Sequence, residues 1–226
     1  SPFGMVSAFF YGTIQSALFT LLAVYATSMN FKILEISIVT FLLAISGAIA
    51  QFPIGKLSDI YDRRKVIIFS SFAAATFSIL TIFVSRQMYL PDGLATSKTL
   101  FYIFFILFSF CSLPMFSLIL AHTNDYIPKE KFVSAGAGLQ LVLSLGAMGG
   151  PLFCSIVMDG LGPNGYFVYL LAFHIVIALF GVYRMAVRQV AENPDNTFTP
   201  LPRNITPAGI ELDPETGVDL SNTNKN

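Results

Sequence analysis

Charge is scarce in this chain of 226 residues. Asp, Glu, Lys and Arg together make up 12% of the sequence, whereas 54% of the residues are hydrophobic. Soluble domains usually carry about twice that share of charged residues. The 13 basic residues are matched by 13 acidic ones and are scattered through short segments, which excludes a nucleic-acid-binding face. This composition indicates an all-α, polytopic membrane protein.

Cysteine is also rare, and the chain lacks an initiator Met. Cys111 and Cys154 lie inside apolar stretches, where small buried side chains are expected rather than a metal or redox site. We therefore expect no metal and no cofactor. The chain begins with Ser1 and has no basic region followed by a cleavage site, so we expect a truncated chain rather than a signal peptide.

Six apolar stretches are each long enough to cross the hydrocarbon core of a bilayer as a helix. They predict membrane spans over about 4–28, 36–54, 65–84, 99–121, 133–158 and 166–186, within one bundle formed by residues 1–190. Residues 191–226 are rich in proline and polar residues and have no apolar periodicity. This composition predicts a disordered cytoplasmic tail.

Lys and Arg are distributed unequally between the two ends of the predicted spans. One end has eight basic residues: Lys56, Arg63, Arg64, Lys65, Lys129, Lys131, Arg184 and Arg188. The other end has three, Lys32, Arg86 and Lys98. Because basic loops stay in the cytoplasm, we expect both termini there and a multi-pass protein in a bacterial inner membrane.

The most informative motif follows span two directly and reads Gly-Lys-Leu-Ser-Asp-Ile-Tyr-Asp-Arg-Arg-Lys over residues 55–65. It resembles the signature loop of the major facilitator superfamily, with matches at Gly55, Leu57, Asp59, Arg63 and Arg64. It departs from that pattern at Ile60 and Asp62, as expected of the copy in the second half of such proteins.

Each part of this signature loop has a physical role to fill. Gly55 permits a sharp exit from the helix, and Asp59 is expected to bind the N-terminus of a helix in another part of the protein. Arg63, Arg64 and Lys65 are expected to anchor the loop to anionic headgroups.

Two further motifs strengthen the resemblance. A helix-end motif containing His122, Asn124 and Asp125 closes span four, and span five contains Gly146, Gly150 and Pro151. This order is similar to the C-terminal half of the YcaD-like branch of bacterial major facilitator proteins. The resemblance implies half of a twelve-helix secondary transporter working by alternating access. Its partners would be the lipid bilayer, a small-molecule substrate and an N-terminal six-helix half missing from this chain.

The glycine motif of span five has two interpretations. Gly146 and Gly150 are four residues apart, so they share a helix face and allow a close approach to a neighbouring backbone. Pro151 has no N–H to donate and should bend the helix. The motif fits either a helix that rocks against its partner or ordinary tight packing.

No charged residue is expected near the middle of the membrane, where carriers coupled to ions usually keep one. Any coupling residue is therefore expected in the missing half. The resemblance implies that spans one, two, four and five line the substrate cavity, and their polar residues give the candidates Gln15, Gln140, Tyr11, Ser112 and Ser144. Hydrogen bonding between helices is the alternative role. Gln15 and Gln140 lie about a third of the way along spans that both start in the cytoplasm, so we expect similar depths. Because no Arg or Lys of this half is expected to line the cavity, we expect an uncharged or zwitterionic solute.

Two other functions compete with transport. An intramembrane serine protease would pair Ser46 with His122 or His174, but His122 lies at a helix end and His174 shares no evident register with Ser46. We therefore expect no catalytic residues and no enzyme activity. A non-transporting membrane scaffold is the other alternative.

Overall fold

The structure, a computed structural model, describes residues 1–88 and 94–187, with no description of the side chains of residues 94–96. Its described residues are helical apart from short turns, and six helical segments are long and apolar enough to cross a membrane. The helices are α1 (Pro2–Ser28), α2 (Ile33–Ile60), α3 (Arg63–Gln87), α4 (Leu94–Ser112), α5 (Met115–Asn124), α6 (Phe132–Leu161) and α7 (Gly165–Val187), with a 3₁₀ turn at Lys129–Lys131. The predicted tail over residues 191–226 lies outside the described residues.

The predicted spans correspond to these helices with two differences. The helix α2 continues six residues beyond the predicted end of span two, to Ile60, and contains Pro53 without ending there. Membrane helices tolerate an internal proline where neighbouring groups satisfy the freed carbonyl. Span four was expected to be one helix, but it consists of α4 and α5, which are separated by Leu113 and Pro114. Pro114 lacks the N–H that a continuous helix needs at this position.

The helix α1 packs most extensively against α6, and the glycines set their contact. A methyl group on Gly146 would overlap the Phe9 carbonyl, and one on Gly150 would overlap the Ser16 hydroxyl and crowd the Thr13 carbonyl. At Gly146 and Gly150 the backbone of α6 lies close to α1 of the same bundle. Residue numbers rise together along the two helices, so they run parallel. Pro151 lies within α6 without ending it.

Contacts at the helix ends show which loops share a face. Arg63 at the start of α3 pairs with Asp125 at the end of α5, and Ser1, Arg64 and Arg184 surround one small cavity. At the opposite end Lys98 Nζ lies 2.7 Å from Glu35 Oε1. The structure therefore groups the basic segments at one end, as the Lys and Arg distribution predicts, while the side of the membrane stays a prediction.

Candidate functional site

An open cavity of about 260 Å³ lies between α1, α2 and the junction of α4 with α5. It is lined by Gln15, Phe19, Ala44, Gly47, Ala48, Gln51, Leu113, Phe116 and Ser117. None of these nine residues is ionisable. The lining combines two amides and a hydroxyl with two phenyl rings, so the cavity can hydrogen-bond a solute and also cover its apolar parts.

The two glutamines give the cavity its hydrogen-bonding capacity. Gln15 is 8% exposed, and Gln51 lies one turn beyond Gly47 on the facing helix. Neither amide has a hydrogen-bond partner within the part of the chain that the structure describes. A buried amide without a partner costs about 1–3 kcal/mol, so a solute or water that fills the cavity would gain by pairing with both.

Gln51 and Ser117 were missed by the sequence analysis. Gln51 fell close to the predicted end of span two, where a polar residue suggests the interface rather than the interior. Because α2 continues to Ile60, Gln51 lies nine residues from the helix end. The sequence feature that could have identified Gln51 is its position in an apolar stretch, four residues after Gly47.

Gln140, in contrast, does not line the cavity. Gly146 lies against Phe9 and Thr13, and Gly12 lies against Leu143 and Ala147, which fixes the α1–α6 register at an offset of about 134 residues. Gln140 is therefore about level with Val6, roughly nine residues and about 14 Å along the axis from Gln15. The expectation of similar depths is wrong, because backbone contacts at glycines set the register and distance from each helix start does not. Within the described residues, Gln140 Oε1 is buried without a hydrogen-bond partner.

The other three candidates make contacts within the bundle. Tyr11 is buried, and its hydroxyl donates to the Leu113 carbonyl over 3.1 Å. Ser112 Oγ lies 3.0 Å from His174 Nε2. Ser144 is exposed and donates to the Gln140 carbonyl one turn earlier. None of the three is among the lining residues of the cavity.

The histidines and serines give no support to a hydrolase site. The Ser46 hydroxyl donates to the Leu43 carbonyl, and the partners of His122 and His174 are Ser1 and Ser112. The His174–Ser112 pair is fully buried, so a peptide could not reach it. Among the described residues, no group of three or more His, Cys, Asp or Glu side chains could hold a metal ion.

The signature loop is mostly helical in the structure. Gly55 and Asp59 lie in the last two turns of α2, so Gly55 makes no sharp exit. Asp62 caps α3: its Oδ1 accepts from the Arg64 N–H over 2.9 Å. Burial raises the pKa of Asp62, but hydrogen bonds from the Arg64 side chain and backbone outweigh it and hold this pKa below its usual range. Asp62 thus replaces the family glycine with an N-cap.

The two arginines of the signature loop are buried, which corrects the expectation that they reach headgroups. Arg63 Nε lies 3.3 Å from Asp125 Oδ2, and its Nη2 lies 3.7 Å from Asp59 Oδ1. Arg64 Nη2 lies 2.9 Å from Asp62 Oδ2. These ion pairs join the ends of α2, α3 and α5. Lys65 is exposed and remains free to contact lipid.

The helix-end motif lies beside these ion pairs. His122 is buried between the rings of Phe3 and Tyr126, with centroid distances of 5.1 and 5.0 Å. Asn124 is also buried, and Asp125 bonds to Arg63. The motif therefore closes the bundle at this end and lies apart from the cavity lining.

Comparisons with known proteins agree with this architecture. The model of the Major Facilitator Superfamily matches residues 4–213. The chain is 23% identical over 189 residues to the "Uncharacterized MFS-type transporter YE1530" of Yersinia enterocolitica, covering 84% of this chain and 44% of that protein. It is 27% identical over 158 residues to the "Uncharacterized MFS-type transporter YfkF" of Bacillus subtilis, covering 66% of this chain and 36% of that protein. The chain thus spans less than half the length of these relatives.

Proposed function

The chain belongs to the Major Facilitator Superfamily, and we propose that it carries a small uncharged or zwitterionic solute across a membrane. In this proposal it is the C-terminal six-helix half of a secondary transporter that works by alternating access. The observation that carries the proposal is the uncharged polar cavity inside the membrane-spanning helices. Transporter sites commonly lie near the midplane between helices.

A second observation supports a missing half. In the most apolar 18-residue stretch of each span, only 28% of the residues of α2 and 22% of those of α6 are buried inside the bundle. In the other four spans the buried share is 50–61%. Large apolar side chains such as Phe41, Ile49, Met148 and Leu152 are exposed on these two helices. A second six-helix unit placed against α2 and α6 would cover these faces and close the cavity, and relatives of which the aligned part is only 44% and 36% have room for it. Asp59, whose Oδ1 lies 3.7 Å from Arg63 Nη2, would then also contact a helix of that unit.

The absence of charge from the lining supports the solute class. A solute with a net charge would lose its hydration on entering the cavity, and this half offers no opposite charge to compensate, so binding would cost free energy. Amide and hydroxyl groups instead match neutral donors and acceptors, and Phe19 and Phe116 match an apolar surface.

The proposal is tested with the full-length gene product. Purified and reconstituted into liposomes, it should change the content of at least one neutral solute in a mixed panel relative to empty liposomes. Mass spectrometry of the liposome content gives the readout. A reconstituted, folded protein that moves no panel member would favour the scaffold alternative.

Orientation has its own test, for which two exposed lysines at opposite ends are a matched pair. We propose that Lys65 is cytoplasmic and Lys32 is extracytoplasmic. In intact cells a membrane-impermeant maleimide should label Lys32→Cys within minutes and leave Lys65→Cys unlabelled until the cells are permeabilised. The reverse pattern would invert the topology.

A further inference from the structure

Span four is interrupted at Leu113 and Pro114, and side chains of α1 and α7 form hydrogen bonds at this break. The helix α4 ends at Ser112 and α5 begins at Met115, because Pro114 cannot donate to the Phe110 carbonyl. From α1, the Tyr11 hydroxyl donates to the Leu113 carbonyl over 3.1 Å. From α7, His174 Nε2 lies 3.0 Å from Ser112 Oγ. Two consecutive residues at the break are thus bound by side chains of two different helices.

The hydrogen bonds of His174 have a defined direction. Its Nδ1 lies 2.7 Å from the Leu170 carbonyl, which can only accept, so the proton is on Nδ1. In the neutral ring Nε2 is then an acceptor, and the Ser112 hydroxyl donates to it. Ser109, one turn earlier, instead donates to the Phe105 carbonyl of its own helix. Ser112 therefore departs from the ordinary behaviour of a helical serine.

The residues that follow Ser112 form one wall of the cavity. Leu113 lines the cavity, and its side chain packs so closely on Gly47 of α2 that a methyl group there would overlap it. Phe116 and Ser117, on the first turn of α5, complete this wall. The direction of α5, and with it the width of the cavity, depends on how the backbone turns at Leu113 and Pro114.

We propose that Tyr11 and His174 are positioning residues that hold the break in span four and thereby fix the Leu113–Ser117 wall of the solute cavity. Neither side chain lines the cavity, so each acts through the backbone or through Ser112. This proposal rests on the proposed function, because the position of the Leu113–Ser117 wall affects transport only if a solute binds against it. Its geometry is measurable without any solute.

The experiment uses the full-length protein without its native cysteines and with Ser117→Cys as a reporter in the wall. The rate of its reaction with N-ethylmaleimide is measured in liposomes. Tyr11→Phe and Ser112→Ala each remove one hydroxyl and keep the side-chain shape. Each should raise the labelling rate about fivefold, which corresponds to about 1 kcal/mol. Adding His174→Phe to Ser112→Ala should raise the rate no further, because both changes remove the same hydrogen bond.

Two matched controls make the result specific. Tyr166→Phe removes a buried hydroxyl that donates to the Leu18 carbonyl over 2.8 Å, and Ser109→Ala removes the buried hydroxyl one turn before Ser112. Both should leave the labelling rate unchanged. Equal rates in control and test variants, with all variants monodisperse on gel filtration, would overturn the proposal. Faster labelling together with no transport of any solute would leave the positioning intact and contradict the transport function alone.

Discussion

Replacing Gly146 by alanine should strongly destabilise the bundle, although the change adds a single methyl group. That methyl would overlap the Phe9 carbonyl, which belongs to a helix backbone and cannot rotate away. The helices α1 and α6 must therefore separate along the contact that also includes Gly12 and Gly150. Overpacking of this kind costs about 3 kcal/mol. Thermal unfolding of the full-length protein in detergent, followed by gel filtration, should show a clear fall in melting temperature.

The same helix supplies the control. Among the described residues, no atom lies within 4 Å of the position that a methyl group on Gly138 would take, so Gly138→Ala meets no obstacle within this half. This variant should be as stable as the unchanged protein or slightly more so, since alanine favours a helix over glycine. Equal stability of the Gly138 and Gly146 variants would mean that the α1–α6 contact does not form.

Replacing Gln15 or Gln51 by leucine should weaken solute binding about tenfold, which corresponds to about 1.4 kcal/mol. Each amide faces the cavity without a hydrogen-bond partner among the described residues, so leucine should remove a hydrogen bond to the solute and none within the described bundle. Together the two changes should lower affinity about a hundredfold if they act independently. The measurement is the concentration dependence of uptake into liposomes, for the solute that the panel identifies.

Gln140→Leu separates the two interpretations of the polar residues. The sequence pairs Gln140 with Gln15 as a substrate residue, whereas the structure puts it about 14 Å away along the bundle. The variant should therefore leave the affinity unchanged, and it should stabilise the protein slightly because it removes a buried oxygen without a partner among the described residues. An equal loss of affinity in the Gln140 and Gln15 variants would contradict the cavity described here.

The six spans were predictable because twenty or more apolar residues leave the chain few alternatives within a bilayer. The close contact at Gly146 and Gly150 was predictable as well, since only small residues permit it. The partner of these glycines was not predictable, because a glycine face fits any neighbouring helix. The register of α1 against α6 then decided that Gln15, and not Gln140, faces the cavity.

The signature loop shows a different limit. Its arginines follow the rule for cytoplasmic loops, and the sequence predicts exposed charges that contact lipid. In the structure Asp59, Asp62 and Asp125 lie near enough to pair with Arg63 and Arg64, and both arginines become buried. Asp125 is more than sixty residues away along the chain, so composition alone could not identify it as the partner.

The parallel pairing of α1 with α6 has a consequence for the order of synthesis. Of the six spans described, α1 is made before the other five and is the least hydrophobic, with a mean hydropathy of 1.4 against 1.9–2.4 for the others. Its main packing partner is the fifth, made more than a hundred residues later. During that interval the groove at Gly12 is unfilled and the polar groups of Thr13 and Gln15 face whatever surrounds the nascent chain. A ribosome stalled before Gly150 is translated would therefore leave α1 as the span most readily lost from the bilayer.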